Sequence, residues 1–237
     1  MNEPTGNEKD GDEAPSETIE APNEIVEASN EVVEAPSEVI EHAKRFDELA
    51  TSYDETRNDV YSACAKLVVE HARPRSTDVV LDLGTGTGEI ALALSSDAGE
   101  VIGRDISQGM LERARDKAES IGIENVSFDV GRFRDPRVEE SVDVVVSNFA
   151  MHHLSDDEKR DAIEVIADLE PRRFVLGDVM LFEQVDEPYY DPDVDDPATV
   201  GTLAEALTER FDVTTVRRVH DQAGVIVSER PTSGEYR

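Results

Sequence analysis

The sequence predicts an α/β fold: a seven-stranded, mostly parallel sheet with helices on both faces, closed by a C-terminal antiparallel hairpin. Three observations predict it. Short apolar runs alternate with helical stretches of about 10–15 residues, the pattern of a parallel sheet with crossover helices. The first run passes straight into a glycine-rich turn, Leu81-Asp-Leu-Gly-Thr-Gly-Thr-Gly88. The last two runs are joined only by His220-Asp-Gln-Ala, a link short enough for a hairpin.

Each element has its own signal. The folded part is expected to begin near His42, with a helix carrying Phe46 and Leu49 that leads to Tyr53 and Asp54. A second helix, from about Asn58 to His71, is closed by Pro74. Asp78 to Gly84 reads as a buried strand entering a tight turn, and Ile90, Leu92 and Leu94 mark the helix after it. Strands follow at Val101–Ile102, Val126–Val130, Val142–Val146 and Phe174–Val179, with helices over about 107–120 and 156–169. Ser155 with Glu158 three residues on fits a capping box that starts the second of these helices. A last helix, about 198–210, precedes the hairpin strands Phe211–Val219 and Gly224–Val227.

Three segments result: an acidic arm (1–43), a folded domain with N-terminal lid helices (44–230) and a tail (231–237). The arm repeats about every seven residues: SETIEAP, NEIVEAS, NEVVEAP, SEVIEHA. Its apolar residues are adjacent rather than three and four apart, and Pro22 and Pro36 fall inside the register, which opposes a coiled coil. A disordered or weakly helical solvated tail is expected, with a protein-binding arm as the other reading.

The chain has 55 acidic against 23 basic residues and a net charge of −32, which disfavours phosphate backbones as partners. A uniformly acidic, lysine-poor chain is also what salt adaptation produces, so the charge reports the solvent as readily as a partner. The single cysteine, Cys64, excludes an intramolecular disulfide and sits in an apolar helical stretch, where a core role is expected. No run approaches the roughly 20 apolar residues of a membrane span, and the acidic start is not a secretory signal. A cytoplasmic protein is expected.

The turn carries the chemistry. Gly84, Gly86 and Gly88 lie at the carboxyl end of a strand, where open α/β sheets bind ligands. Asp105 ends the next strand, at the place of a carboxylate that takes ribose hydroxyls. The glycines also fit a dinucleotide fingerprint. Two features point instead to S-adenosylmethionine. Asp82 would meet the cationic methionyl end but repel a pyrophosphate, and the chain after the fifth strand is short for a second catalytic domain.

Together, LDLGTGTGEIALAL, VIGRDISQGMLERAR (101–115) and VDVVVSNFAMHHLSDDEK (142–159) resemble class I S-adenosylmethionine-dependent methyltransferases, whose sheet is Rossmann-like. The small-molecule type, including the ubiquinone/menaquinone biosynthesis enzymes, is nearest, and Phe46-Asp-Glu-Leu-Ala-Thr-Ser-Tyr53-Asp54 is similar to its lid signature. The resemblance covers about 44–230. It implies that Asp82 and the turn hold the methionyl part, Asp105 the ribose, Ile106 the adenine face, Asn148 and Phe149 the region beside the reactive methyl, and that Tyr53 closes from the lid. One position departs. Where the family has Gly-Asp to accept from the adenine amino group, this chain has Gly131-Arg132, and arginine has no acceptor. Asp129, Asp135 or the backbone would have to serve.

For chemistry, His152 and His153 are candidate bases and Asp178 a candidate for orienting substrate. The segment 183–197 would overhang the pocket. No His/Cys/Asp cluster has metal-ligand spacing in the sequence, so no metal is expected. Asn148-Phe-Ala-Met is not the motif of nucleobase amino methyltransferases, which with the charge makes nucleic acid an unlikely substrate. The favoured function is methyl transfer to a small molecule. The alternatives are an RNA or protein methyltransferase, a non-catalytic cofactor-binding sensor or partner protein, and a nicotinamide-dependent oxidoreductase.

Overall fold

A computed structural model describes residues 37–183, 188 and 190–230. The arm up to residue 36, the tail 231–237, and Asp186, Glu187 and Tyr189 of the overhanging segment lie outside the described residues.

Five strands run parallel: β1 (Val79–Leu83), β2 (Glu100–Asp105), β3 (Val126–Val130), β4 (Val144–Asn148) and β5 (Arg173–Val179). The final pair, β6 (Asp212–His220) and β7 (Ala223–Glu229), is the expected hairpin. The sheet order is β3-β2-β1-β4-β5-β7-β6, so β7, not β6, pairs antiparallel with β5. The predicted fold class holds.

Strand alternation sorts the core into two layers. Val80, Val144, Val146, Val175 and Val225 face one side, with α3 (Asp59–Ala72), α4 (Glu89–Leu94) and α5 (Gln108–Ile121). Leu81, Val145, Phe174, Leu176 and Ile226 face the other, with α6 (Asp156–Asp168) and α7 (Val200–Thr208). Both faces of the central strands are apolar, which is why they read as continuous runs. Cys64 is fully buried in the first layer, and burial, with the charge of Asp178, pushes its thiol up to about 12. It is a core residue.

The capping box at Ser155 and Glu158 forms in full. The first helix, α1 (Ser37–Leu49), starts earlier than the sequence suggested, so the last repeat unit of the arm is helical. A separate turn of helix, α2 (Tyr53–Thr56), follows it. Among the described residues no helix is long and apolar enough to cross a membrane.

Candidate functional site

All five parallel strands end on one edge of the sheet, and a cavity opens there beneath α1 and α2. Its wall includes Phe46 and Tyr53 from the helices above, Gly84 and Gly86 from the turn after β1, and Asp105 and Ile106 from β2. Arg132, Phe149 and His153 complete the far side.

The three glycines of the turn all have positive φ, at 71°, 54° and 83°, yet they do different work. A Cβ on Gly84 would come within 2.3 Å of Ala150 Cβ, and one on Gly88 within 3.0 Å of Ala114 Cβ and the Phe128 ring. These two let the turn pack against its neighbours. A Cβ on Gly86 meets nothing within 4 Å, because that side faces the cavity. Gly84→Ala is therefore expected to lower stability by about 2–5 kcal/mol through left-handed strain and overpacking. Gly86→Ala should cost only about 1–2 kcal/mol but fill the ligand's space. Thermal melts with and without S-adenosylhomocysteine separate the two. Equal melting temperatures for both variants would contradict this division.

Asp105 spans the turn. Its Oδ2 accepts the Gly86 N–H at 2.8 Å and its Oδ1 the Ser107 N–H at 2.9 Å. Burial raises its pKa, against the lowering effect of the Ser107, Gly86 and Ile106 N–H groups. Each oxygen keeps a lone pair for a further donor.

Asp82 sits deeper. It is buried, accepts the Thr85 hydroxyl at 2.6 Å, and does not reach the wall. Burial pushes its carboxyl up to about 7, against the Thr85 hydroxyl and the Ala91 N–H, and Oδ1 lacks a hydrogen bond of full geometry. An under-satisfied buried carboxylate beneath a glycine turn with an open face suits a ligand bearing a cationic amino group.

Gly88, Asn148, His152 and Asp178 also stand behind the wall. Asn148 is buried at the end of β4, with Oδ1 filling the space beside Gly177. Phe149, next in the chain, holds φ at +55°, a conformation costly for a non-glycine residue, and donates its N–H to Gly177 O at 2.8 Å. That turn puts its ring on the wall. Arg132 lies on the wall with Nη1 buried and without a hydrogen-bond partner. Neither Asp129 nor Asp135 lines the cavity.

The helices above are latched by two aspartates of the lid signature, to which the sequence assigned no role. Asp47 of α1 accepts the Ser107 hydroxyl at 2.6 Å and the Gly109 N–H at 2.9 Å, at the start of α5. Asp54 of α2 accepts the hydroxyl of Thr87, within the glycine turn, at 2.7 Å and pairs with Lys117 at 2.5 Å and Arg57 at 2.8 Å. Burial opposes ionisation of Asp54, but Lys117, Thr87 and Arg57 together hold its pKa below the usual value. Tyr53 is thereby carried onto the wall, where burial raises its hydroxyl to about 12 against the lowering charge of Arg57.

On the far side the fold gathers what the sequence kept apart. His152 Nδ1 lies 2.5 Å from Asp178 Oδ1, and His153 Nδ1 lies 2.9 Å from Oδ1 of Asp195, in the segment before α7. Asp178 is buried and also accepts the backbone N–H groups of Met151 and Val179, both at 2.8 Å. It therefore holds His152 and does not line the cavity. His153 packs edge-on against Phe46, with ring centroids 5.3 Å apart. Burial, then the neighbouring His152, lower its pKa, so its ring favours the neutral form.

Comparison with known proteins agrees with this geometry. Residues 80–169 match the model of a methyltransferase domain. An uncharacterized methyltransferase from Bacillus subtilis is 36% identical over 115 residues, 47% of this chain and 45% of that protein. Another, from Oceanobacillus iheyensis, is 31% identical over 156 residues, 65% of this chain and 71% of that protein. The match thus spans under half of the first relative's length and over two thirds of the second's. The structure of geranyl diphosphate methyltransferase in complex with S-adenosylmethionine superposes with a TM-score of 0.60 at 16% identity, covering 71% of this chain and 85% of that one. The chain belongs to the class I S-adenosylmethionine-dependent methyltransferase family.

Proposed function

We propose that the protein transfers the methyl group of S-adenosylmethionine to a small-molecule acceptor. The observation that carries this reading is the wall shared by Gly86, which leaves open space, and Asp105, whose carboxylate keeps acceptor capacity beside it. When bound, the cofactor supplies a methyl group on a sulfonium, open to in-line displacement.

The chain's own residues align and desolvate. Asp105 would accept the ribose hydroxyls, and Ile106 and Phe133 would sandwich the adenine. Asp82 would stabilise the cationic methionyl end from beneath the turn, through its charge and the Thr85 hydroxyl. Arg132 cannot accept from the adenine amino group, so its unpartnered Nη1 would donate to a ring nitrogen instead. Gly84 and Gly88 shape the turn, and Phe149 and Tyr53 would shield the reacting centre from water; Asn148 supports Phe149 from behind. An acceptor hydroxyl or amine on the far side would meet His153, whose neutral ring can take a proton. His152 and Asp178 would act by positioning that neighbour.

A cavity closed over by Val39, His42 and Phe46 of α1 favours a small acceptor over a polymer. The acidic composition argues in the same direction against nucleic acid, and the part of the acidic arm before α1 is left as the segment for a protein partner, in a cytoplasmic, salt-adapted setting. The test is incubation of purified protein, at high salt, with methyl-labelled cofactor and a metabolite panel. Label transfer to a small molecule is the expected result. Transfer only to RNA or protein, or cofactor binding with no transfer to any acceptor, would refute the assignment.

A further inference from the structure

We propose that His152, His153 and Asp195 form a binding site for a divalent first-row transition-metal ion at the edge of the cavity. One ligand atom from each residue falls within 4.8 Å of the other two. His152 Nε2 lies 3.8 Å and His153 Nδ1 2.9 Å from the same Asp195 oxygen. An ion bound at about 2.0–2.2 Å brings its ligand atoms to within roughly 3–3.5 Å of one another, so the widest pair closes by up to about 1.3–1.8 Å.

The surroundings have the construction of a metal site. Asp178 is buried, and its oxygens already accept backbone N–H groups, so it is the acceptor in its 2.5 Å contact with His152 Nδ1. That holds Nδ1 as the donor and turns Nε2 toward Asp195, as a second carboxylate does behind metal-bound histidines. His152 Nε2 then faces an Asp195 oxygen across 3.8 Å, and the same oxygen meets His153 Nδ1 at 2.9 Å. Two ring nitrogens turned toward one carboxylate oxygen form a geometry that a cation can bridge.

Asp195 is also held in place. The neighbouring Asp196 N–H donates to His152 O at 2.8 Å, and the buried Lys159 ammonium bonds the carbonyls of Leu154 and Asp196, with Asp156 at 3.7 Å. Two imidazoles with one carboxylate suit zinc, iron or their neighbours, whereas magnesium and calcium favour all-oxygen sets. Three protein ligands leave room for an exogenous one. With Nδ1 on the ion, the His153 ring no longer takes the acceptor's proton; the ion's open position beside the cavity would instead take an oxygen of the acceptor and favour loss of its proton to water. This last role rests on the methyl-transfer reading; the binding of the ion does not.

The test is titration of the full chain with Co²⁺ in molar KCl, which screens binding to surface carboxylates. Visible absorption reports the ion, and S-adenosylhomocysteine binding is measured on the same samples. Wild type should bind one equivalent with visible bands. Asp195→Asn should weaken binding at least tenfold, and Asp105→Ala should leave it unchanged. His153→Gln gives the same contrast if Asp195→Asn fails to fold. No visible band in wild type, or equal binding by wild type and both cluster variants, would overturn the proposal. S-adenosylhomocysteine binding without Co²⁺ binding would sink the metal site alone; Co²⁺ binding without S-adenosylhomocysteine binding would sink the methyltransferase reading alone.

Discussion

Asp105→Ala is expected to weaken S-adenosylhomocysteine binding by about 100-fold, read by calorimetry at high salt. A hydrogen bond to a charged group contributes about 1.5–3 kcal/mol, and a ribose diol offers two. Two such bonds at the low end amount to about 3 kcal/mol, where 1.4 kcal/mol is tenfold. Alanine also frees the N–H groups of Gly86 and Ser107, which now meet the carboxylate at 2.8 and 2.9 Å, so the turn loses its brace as well. Asp105→Asn keeps one acceptor oxygen and should fall between alanine and wild type. An alanine variant that binds within threefold of wild type would contradict a ribose role for this carboxylate.

The second large effect concerns Asp82. Its folded pKa of about 7 lies above the ordinary 3.8, so folding favours the protonated form. The stability this confers is complete below about pH 4 and is lost as pH rises through about 7. At 1.36 kcal/mol per unit the full loss is of order 4 kcal/mol. Asp82→Asn does not titrate. Its stability relative to wild type should therefore climb between about pH 4 and 7 and then level off, followed by denaturant unfolding of the ligand-free protein. Depressed carboxyls such as Asp54 and Asp78 give the opposite trend in both proteins and cancel in the difference. Parallel curves across that range would mean that Asp82 keeps an ordinary pKa.

Much of this was legible beforehand, for physical reasons. Val144, Val145 and Val146 are buried on both faces of the sheet, which makes their strand an unbroken apolar run. The glycine turn showed itself because positive φ and close approach to Ala150 demand the residue type. Asp105 was found because its distance from the turn is fixed by one helix and one strand. What stayed hidden depended on direction or on distant segments. Asp82 was expected beside the ligand, but the pleat turns it beneath the turn and away from the wall. Asp47 and Asp54 stood within the lid signature, but their partners were hidden, since only the fold selects which carboxylates meet Ser107 and Thr87. The absence of metal-ligand spacing in the sequence was a true observation, yet Asp195 arrives beside the two histidines from the far end of the loop after β5.

The strand order also bears on how the chain is made. β5 lies beside β7, with β6 outermost, although β6 is synthesised first. A growing chain that has completed β5 keeps the edge of that strand bare until residues 223–229 emerge and pair with it. The sheet is therefore finished late and from within, and nascent chains stalled before that point present a sticky apolar edge to chaperones or to one another.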